Sequence, residues 1–351
     1  MAVSKFPARY SPFGANEHFY LPRYVGGNAV LGNTPATEFI GPIRFTTDSL
    51  GFRLTPYLKP RQRPEVLFFE GDSFTYGVGL SDEQTLPSVL TAQYGIPSYN
   101  GGRFHDDPEG LPELDWLLAN LPGRPSTIVY TYLEHERPTS PDYIHGWKGA
   151  LIRRAPALEG DLRYLKLLNT FFWEMAPSRV ITTRLFKAFA NDGVLPNSYR
   201  DQIRVMNMPD GKKLIFRDYE YEIPSQDRGH SVVLETARYF SWFKEQLAKR
   251  HLNLVVLLVP NRYTLYAPLL EGRGGSWIHY LDRLNVELNN RGVTTVNGLH
   301  AYHPVAELAS GHLLFDREDT HWNSDGIKAI AAPLAGTLLK RCPKLASRTH
   351  N

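Results

Sequence analysis

Three features of the sequence predict an α/β protein built as a three-layer sandwich around a mostly parallel central sheet. Short apolar or β-branched runs alternate with helix-length segments, the pattern of parallel strands covered by helices. The run from Leu252 to Val259 is apolar almost throughout, as a strand buried on both faces must be. Near the end, Ile327, Ile330, Ala331, Leu334 and Leu338 fall on one stripe of a closing helix from about Ser324 to Lys340.

The elements follow in order. Residues 1–60 are rich in Gly, Pro, Asn and aromatics without a sustained period, and predict a loop-rich extension that wraps the core, with a short strand and turn within Phe45–Arg53. Residues 61–137 form the first half of the core. Glu65–Phe69 is a compact strand-length run; Ser81, three residues before Gln84, makes a capping box for a helix over Ser81–Tyr94. Ile96–Asn100 predicts a second strand, Leu111–Leu121 a helix with Leu114, Leu117 and Leu118 on one face, and Thr127–Leu133 a third strand. The register breaks over 138–230, which predict an insertion or cap: amphipathic helices at Leu162–Met175 and Ser178–Asn191, and a hairpin-like stretch around Lys212–Tyr221. Residues 231–351 complete the core with a helix at Val232–Arg250, the Leu252–Val259 strand, a short strand at Val293–Asn297 and the closing helix.

The bulk numbers exclude some functions. Thirty-nine Lys and Arg against 36 Asp and Glu leave +3, with the basic residues scattered, which argues against a nucleic-acid partner. The single cysteine, Cys342, rules out an intrachain disulfide. No apolar run reaches bilayer length, and Met1–Tyr10 carries no signal-peptide core, so a cytoplasmic location is the default expectation, with a periplasmic one still open.

Two segments carry chemistry. The first is Glu70-Gly71-Asp72-Ser73-Phe74-Thr75-Tyr76-Gly77, set between a strand and a helix, where open α/β sheets bind ligands. A bare Gly-Asp-Ser arises by chance in about one chain in ten of this length, but this placement makes Ser73 a candidate nucleophile. Its own amide is a candidate oxyanion donor. Gly71 lets the chain turn, and Asp72 can hold the turn through backbone amides. The second segment is Asp319-Thr320-His321-Trp322-Asn323-Ser324. A hydroxyl nucleophile needs an imidazole to take its proton, and the imidazole needs a carboxylate to fix its tautomer. Asp-x-His just before a helix delivers both from one turn, with Asn323 or Ser324 available as the cap. The other histidines, among them His300, His303 and His312, show no recognised ligand spacing, so no metal and no cofactor is expected.

In this order the two segments resemble the SGNH/GDSL hydrolase superfamily, whose first block is Gly-Asp-Ser and whose last carries the catalytic Asp and His. Ser49-Leu50-Gly51-Phe52-Arg53 and Glu83-x-Thr85-x-Pro87 add likeness to a bacterial subgroup. The likeness covers roughly residues 45–135 and 232–340 and implies an SGNH/flavodoxin-like core with Ser73, His321 and Asp319 as the triad. The family's second block implies an oxyanion-hole glycine, here Gly102 with Gly101 close behind. Its third block normally presents an Asn; this chain has Leu133-Glu134-His135-Glu136-Arg137 instead. His135 is then the candidate donor, and Arg137 and Arg262 are the candidate contacts to a polar or anionic substrate group. The last block is also unusual, because one residue separates Asp319 from His321 while Glu318 occupies the other register. That form, with Val259-Pro260-Asn261-Arg262-Tyr263-Thr264-Leu265-Tyr266, resembles the alginate O-acetyltransferase-like branch, although there the Asp-His pair precedes the serine.

Three functions follow. The first is hydrolysis of a small-molecule or carbohydrate O-acyl ester. The second is acyl transfer to a sugar or other hydroxyl, with acetyl-CoA or an acylated carrier as donor. The third is a non-catalytic binding module, against which the joint retention of Ser, Asp and His argues.

Overall fold

Two-residue alternation of buried side chains organises the core. In the computed structural model, which describes residues 18–25, 38–59, 61–69, 72–102, 110–134, 203–217, 220, 230–272, 280–317 and 320–341, the chain opens with two strands. β1 (His18–Val25) and β2 (Glu38–Thr46) pair antiparallel, with a bulge at Arg23/Tyr24. Both strands lie within the extension expected to be rich in loop, of which residues 1–17 and 26–37 fall outside the described residues. Pro22, Gly41 and Pro42 lie inside these strands and mask the pattern, because both strands of a two-stranded ribbon are edges, where proline is tolerated. After β2 a turn at Asp48–Gly51 leads to the Thr47–Arg53 bridge. Asp48 Oδ1 accepts from the Leu50 and Phe52 amides at 2.8 and 3.1 Å, and the Tyr99 hydroxyl donates to Oδ2 at 2.6 Å.

The first half of the core supplies β3 (Val66–Phe69), α1 (Asp72–Tyr76), α2 (Leu86–Tyr94), β4 (Ser98–Gly101), α3 (Gly110–Asn120) and β5 (Thr127–Leu133). The helix expected over 81–94 is divided. A 3-10 turn at Asp82–Gln84 follows Ser81, whose amide donates to Gln84 Oε1 at 2.9 Å. Thr85 is extended, and α2 starts at Leu86. Pro87 accounts for the break, since proline fits a helix only in its first turn.

A hairpin of β6 (Ile203–Asn207) and β7 (Lys213–Arg217) follows, overlapping the hairpin-like stretch that the sequence suggests. The two insertion helices expected from Leu162 to Asn191 lie outside the described residues. The second half contributes α4 (His230–Ala248), β8 (Asn253–Val259), α5 (Arg262–Leu270), α6 (Tyr280–Asn290), β9 (Thr294–Asn297), α7 (Pro304–Ser310) and α8 (Ser324–Arg341). Helices α5, α6 and α7 go beyond the predicted elements. α5 is buried on every side from Arg262 to Pro268, so it has no amphipathic stripe to detect. α6 does have one, in Leu281, Leu284 and Leu288.

The central sheet has the order β4-β3-β5-β8-β9, every neighbouring pair parallel. Val66, Phe68, Val129, Leu133, Val255 and Leu257 face a layer of α2, α5, α8 and the β6–β7 hairpin. Their sequence neighbours Leu67, Phe69, Ile128, Tyr130, Val256 and Leu258 face α3, α4 and α6. These are the three layers that the sequence predicts. The stripe of α8 is fully buried, as its spacing requires. Among the described residues no helix is long and apolar enough to cross a membrane.

Candidate active site

In a sheet with this order, the connection reverses direction between β3 and β5, and the crevice beyond their carboxyl ends is where ligands bind. Ser73 stands there, the second residue of α1, four positions past the end of β3. The single turn of α1 is closed by the Gly77 and Val78 amides, both donating to the Ser73 carbonyl at 3.0 Å. Gly77 ends it with φ +85°, and a Cβ there would lie 2.7 Å from Thr85 Cγ2. Only glycine meets both conditions.

The loop after α1 is held by a buried arginine. Arg53 Nε donates to Asp82 Oδ1 at 2.7 Å, while its terminal nitrogens reach the carbonyls of Gly77 (3.1 Å), Leu80 (2.5 Å) and Arg44 (3.3 Å). The Thr46 amide also donates to Asp82 Oδ1, at 3.1 Å. Burial lowers the Arg53 guanidinium from its ordinary value, with the charge of Asp82 opposing the shift. A buried charge persists only when paired in this way. In the sequence Arg53 carries only a family likeness, and neither its role here nor that of Asp82 is visible there.

The second half of the site is a tight loop. Phe315 and Trp322 form an antiparallel bridge at its base, and the Asp316 amide donates to the His321 carbonyl at 2.9 Å. Asn323 is the residue that caps α8: its Oδ1 accepts from the Asp325 and Gly326 amides, each at 3.0 Å, and its Nδ2 donates to the Leu313 carbonyl at 2.7 Å. Gly326 lets the helix start press on this loop, since a Cβ would sit 2.1 Å from the Leu314 carbonyl oxygen.

The two halves meet at the Ser73–His321 pair. His321 Nε2 lies 2.7 Å from Ser73 Oγ. The imidazole is nearly enclosed, with the Phe74 ring at 4.9 Å, and Trp322 packs edge-on against Phe74 at 5.3 Å. At this distance the nitrogen can take the serine proton as the hydroxyl attacks.

The structure places the other expected residues as follows. Gly102 lies against α1, where a Cβ would meet Thr75 Cγ2 at 2.5 Å. Its amide donates to Asn100 Oδ1 at 3.1 Å, and Asn100 Nδ2 donates to the Thr75 carbonyl at 3.1 Å. Glu134, at the position of the third block, is buried and accepts from the Asn261 amide at 2.9 Å, joining the ends of β5 and β8. Arg262 departs from the expected substrate contact. Its guanidinium is wholly buried and grips Glu220 through Nε (2.9 Å) and Nη2 (2.7 Å), the Asp316 carbonyl (2.6 Å) and the Ile215 carbonyl (2.6 Å). Sequence shows the charge of an arginine and not its burial. Gly71, His135, Arg137, Glu318 and Asp319 lie outside the described residues, as does the side chain of Asp72. Among the described residues no three His, Cys, Asp or Glu side chains gather in a way that would hold a metal ion.

Residues 215–351 match the family model for the SGNH hydrolase-like domain of the acetyltransferase AlgX. In shape, the chain is similar to a protein of the G-D-S-L family from Desulfitobacterium hafniense DCB-2, at 10% identity and a TM-score of 0.35. That likeness covers 79% of this chain and 100% of the other. The comparison with curated proteins returns no match.

Proposed function

We propose, on the premise that residues 215–351 are an SGNH hydrolase-like domain, that the protein is a serine-dependent O-acyl ester hydrolase working through an acyl-Ser73 intermediate. The observation that carries this reading is the 2.7 Å contact between His321 Nε2 and Ser73 Oγ. In the proposed reaction Ser73 Oγ attacks the ester carbonyl as His321 takes its proton. His321 returns that proton to the leaving alkoxide, and the acyl group stays on Ser73. Water then attacks the acyl-enzyme, giving its proton to His321, and serine is regained as the acid departs. Asp319 is the proposed orienter of the imidazole.

The Ser73 amide is the proposed first oxyanion donor. The Gly102 amide can join it only by leaving Asn100 Oδ1, and a developing alkoxide is the stronger acceptor for that N–H. His135 is the proposed third donor, in place of the missing Asn, and Arg137 the proposed contact to a polar group on the substrate.

The acetyltransferase description of the matching family favours a second reading, in which a sugar or other hydroxyl replaces water as acceptor and an acylated carrier or acetyl-CoA serves as donor. The chemistry at Ser73 is the same in both. Hydrolysis of p-nitrophenyl acetate by the wild type, Ser73→Ala and His321→Ala tests the shared step. Each substitution is expected to remove at least about a thousandfold of the turnover; equal rates in the three proteins would dispose of the proposal. Adding hydroxyl acceptors to the wild-type reaction separates the readings. Acylated acceptor formed in preference to acetate marks a transferase.

A further inference from the structure

Among the described residues, Arg262 and Glu220 are a fully enclosed charge pair to which the proposed reaction gives no role. Taking two charges out of water is costly, and replacing such a pair by apolar residues is often neutral or stabilising. The pair therefore calls for a reason beyond stability, and its geometry offers one. Arg262 stands at the start of α5, directly after β8. From there its fork reaches the segment that enters the histidine loop and the β7 strand hydrogen-bonded to that segment. Nη1 donates to the Asp316 carbonyl at 2.6 Å, on the segment entering the loop, and the Asp316 amide in turn donates to the His321 carbonyl at 2.9 Å. Nη2 donates to the Ile215 carbonyl at 2.6 Å, and the Ile215 amide donates to the Arg317 carbonyl at 2.9 Å. Glu220 receives the remaining edge of the fork, and the Phe216 ring lies 5.5 Å from the guanidinium carbon.

We propose that Arg262, oriented by Glu220, is a positioning residue for the general base: it fixes the height and tilt of the loop that presents His321 to Ser73. This rests on the proposed roles of Ser73 and His321. Two hydrogen bonds separate the guanidinium from the His321 backbone, and Arg262 has no part in the chemistry itself. Its planar fork can serve a carboxylate and two carbonyls together; a lysine in its place keeps the charge but offers a single nitrogen, which cannot span all three.

The test compares wild type, Arg262→Lys and Glu220→Gln with p-nitrophenyl acetate, measuring kcat and KM separately across pH, with thermal melting to establish the folded fraction at the assay temperature. A loss of alignment between base and nucleophile acts on turnover and leaves ground-state binding alone. Arg262→Lys is therefore expected to lower kcat by about ten- to a hundredfold with KM within about threefold. Glu220→Gln leaves both carbonyl contacts available and is expected to cost less, about three- to tenfold in kcat. A kcat of folded Arg262→Lys within about twofold of wild type overturns the proposal, as does a loss that falls on KM alone. Should Arg262→Lys not fold, Glu220→Gln decides by itself, an unchanged kcat overturning the proposal. Ser73→Ala, run alongside, keeps the outcomes apart. If it retains wild-type rates the catalytic reading has failed, whereas Ser73-dependent turnover that is indifferent to Arg262 and Glu220 refutes only the positioning role.

Discussion

Adding one methyl group at Gly102 tests how tightly the turn that carries Ser73 is held. The Cβ of Gly102→Ala would lie 2.5 Å from Thr75 Cγ2, 2.8 Å from Thr75 Cβ and 2.8 Å from the Tyr76 backbone nitrogen. Unstrained carbon contacts begin near 3.5 Å, so the two segments must part by about 1 Å. The Gly102 side has little freedom: its amide is on Asn100 Oδ1 at 3.1 Å, and the preceding Gly101 is paired with Phe69 in the sheet. The backbone nitrogen of Tyr76 cannot swing aside as a side-chain tip would. α1 must therefore give way.

Because the Ser73 carbonyl receives both the Gly77 and Val78 amides, that single turn moves as a unit and takes Ser73 with it. A displacement of about 1 Å carries the 2.7 Å contact to His321 past hydrogen-bonding range, and misplacements of this size cost about a hundredfold in rate. Overpacking by one methyl costs about 1–3 kcal/mol in stability. The expected result for Gly102→Ala is thus a folded protein with a modestly lowered Tm, KM within about threefold of wild type and kcat reduced about a hundredfold. Steady-state kinetics with p-nitrophenyl acetate and a thermal melt on the same preparation provide the check. A variant that melts lower yet keeps wild-type kcat refutes the coupling between Gly102 and Ser73.

Two further outcomes follow from the ion pairs. Arg53→Met leaves Asp82 buried without its guanidinium and frees the Gly77 and Leu80 carbonyls; breaking such a pair is expected to cost about 3–5 kcal/mol, read from urea unfolding midpoints, and a loss under about 1 kcal/mol contradicts it. Asp115 and Arg250 form a two-point pair at 2.6 and 2.8 Å near the surface. The hydrogen bond from Arg250 holds the Asp115 carboxyl below its ordinary value of 3.8. A lowered carboxylate contributes stability above its unfolded-state value and loses it as the pH falls through the folded one. Asp115→Asn is therefore expected to cost at most about 1 kcal/mol at pH 7, with the difference from wild type fading below about pH 4 and shrinking in high salt. A difference that grows on acidification would show the sign to be wrong.

What the sequence discloses about this site depends on how local each signal is. Ser73 and His321 sit in motifs of three residues each, Gly71-Asp72-Ser73 and Asp319-Thr320-His321, and the structure brings the two side chains together. The alternation of Leu67 with Phe68 and of Val255 with Val256 across the sheet is just as local, so the layers could be foreseen. Pairings at a distance could not. Arg53 meets Asp82 across 29 positions and Arg262 meets Glu220 across 42; nothing near any of these residues announces its partner. Without the partner, Arg262 shows only the likeness of its segment, Val259–Tyr266, and the charge that makes it a candidate substrate contact. The β1–β2 pair was hidden for another reason. Its prolines and glycine obey edge-strand rules, whereas pattern reading assumes a strand in the middle of a sheet.

The two buried arginines bear on how a site made from ends 248 residues apart can hold its geometry. Loops at the carboxyl edge of a parallel sheet are generally the softer parts of a fold, with few apolar contacts to hold them. On the proposed mechanism one of them must keep a hydroxyl, and the other an imidazole, aligned to within a fraction of an ångström. Hydrophobic packing positions such segments poorly because it is non-directional. Hydrogen bonds from an enclosed guanidinium are directional, and the low local dielectric strengthens them. Arg53 supplies them to the Gly77 and Leu80 carbonyls behind Ser73, and Arg262 to the Asp316 carbonyl beside His321. Asp82 and Glu220 offset the cost of burying the charges. Each clamp is anchored in a different part of the chain, so Ser73 and His321 are stiffened independently, and on the proposed mechanism the contact between them is set before a substrate arrives.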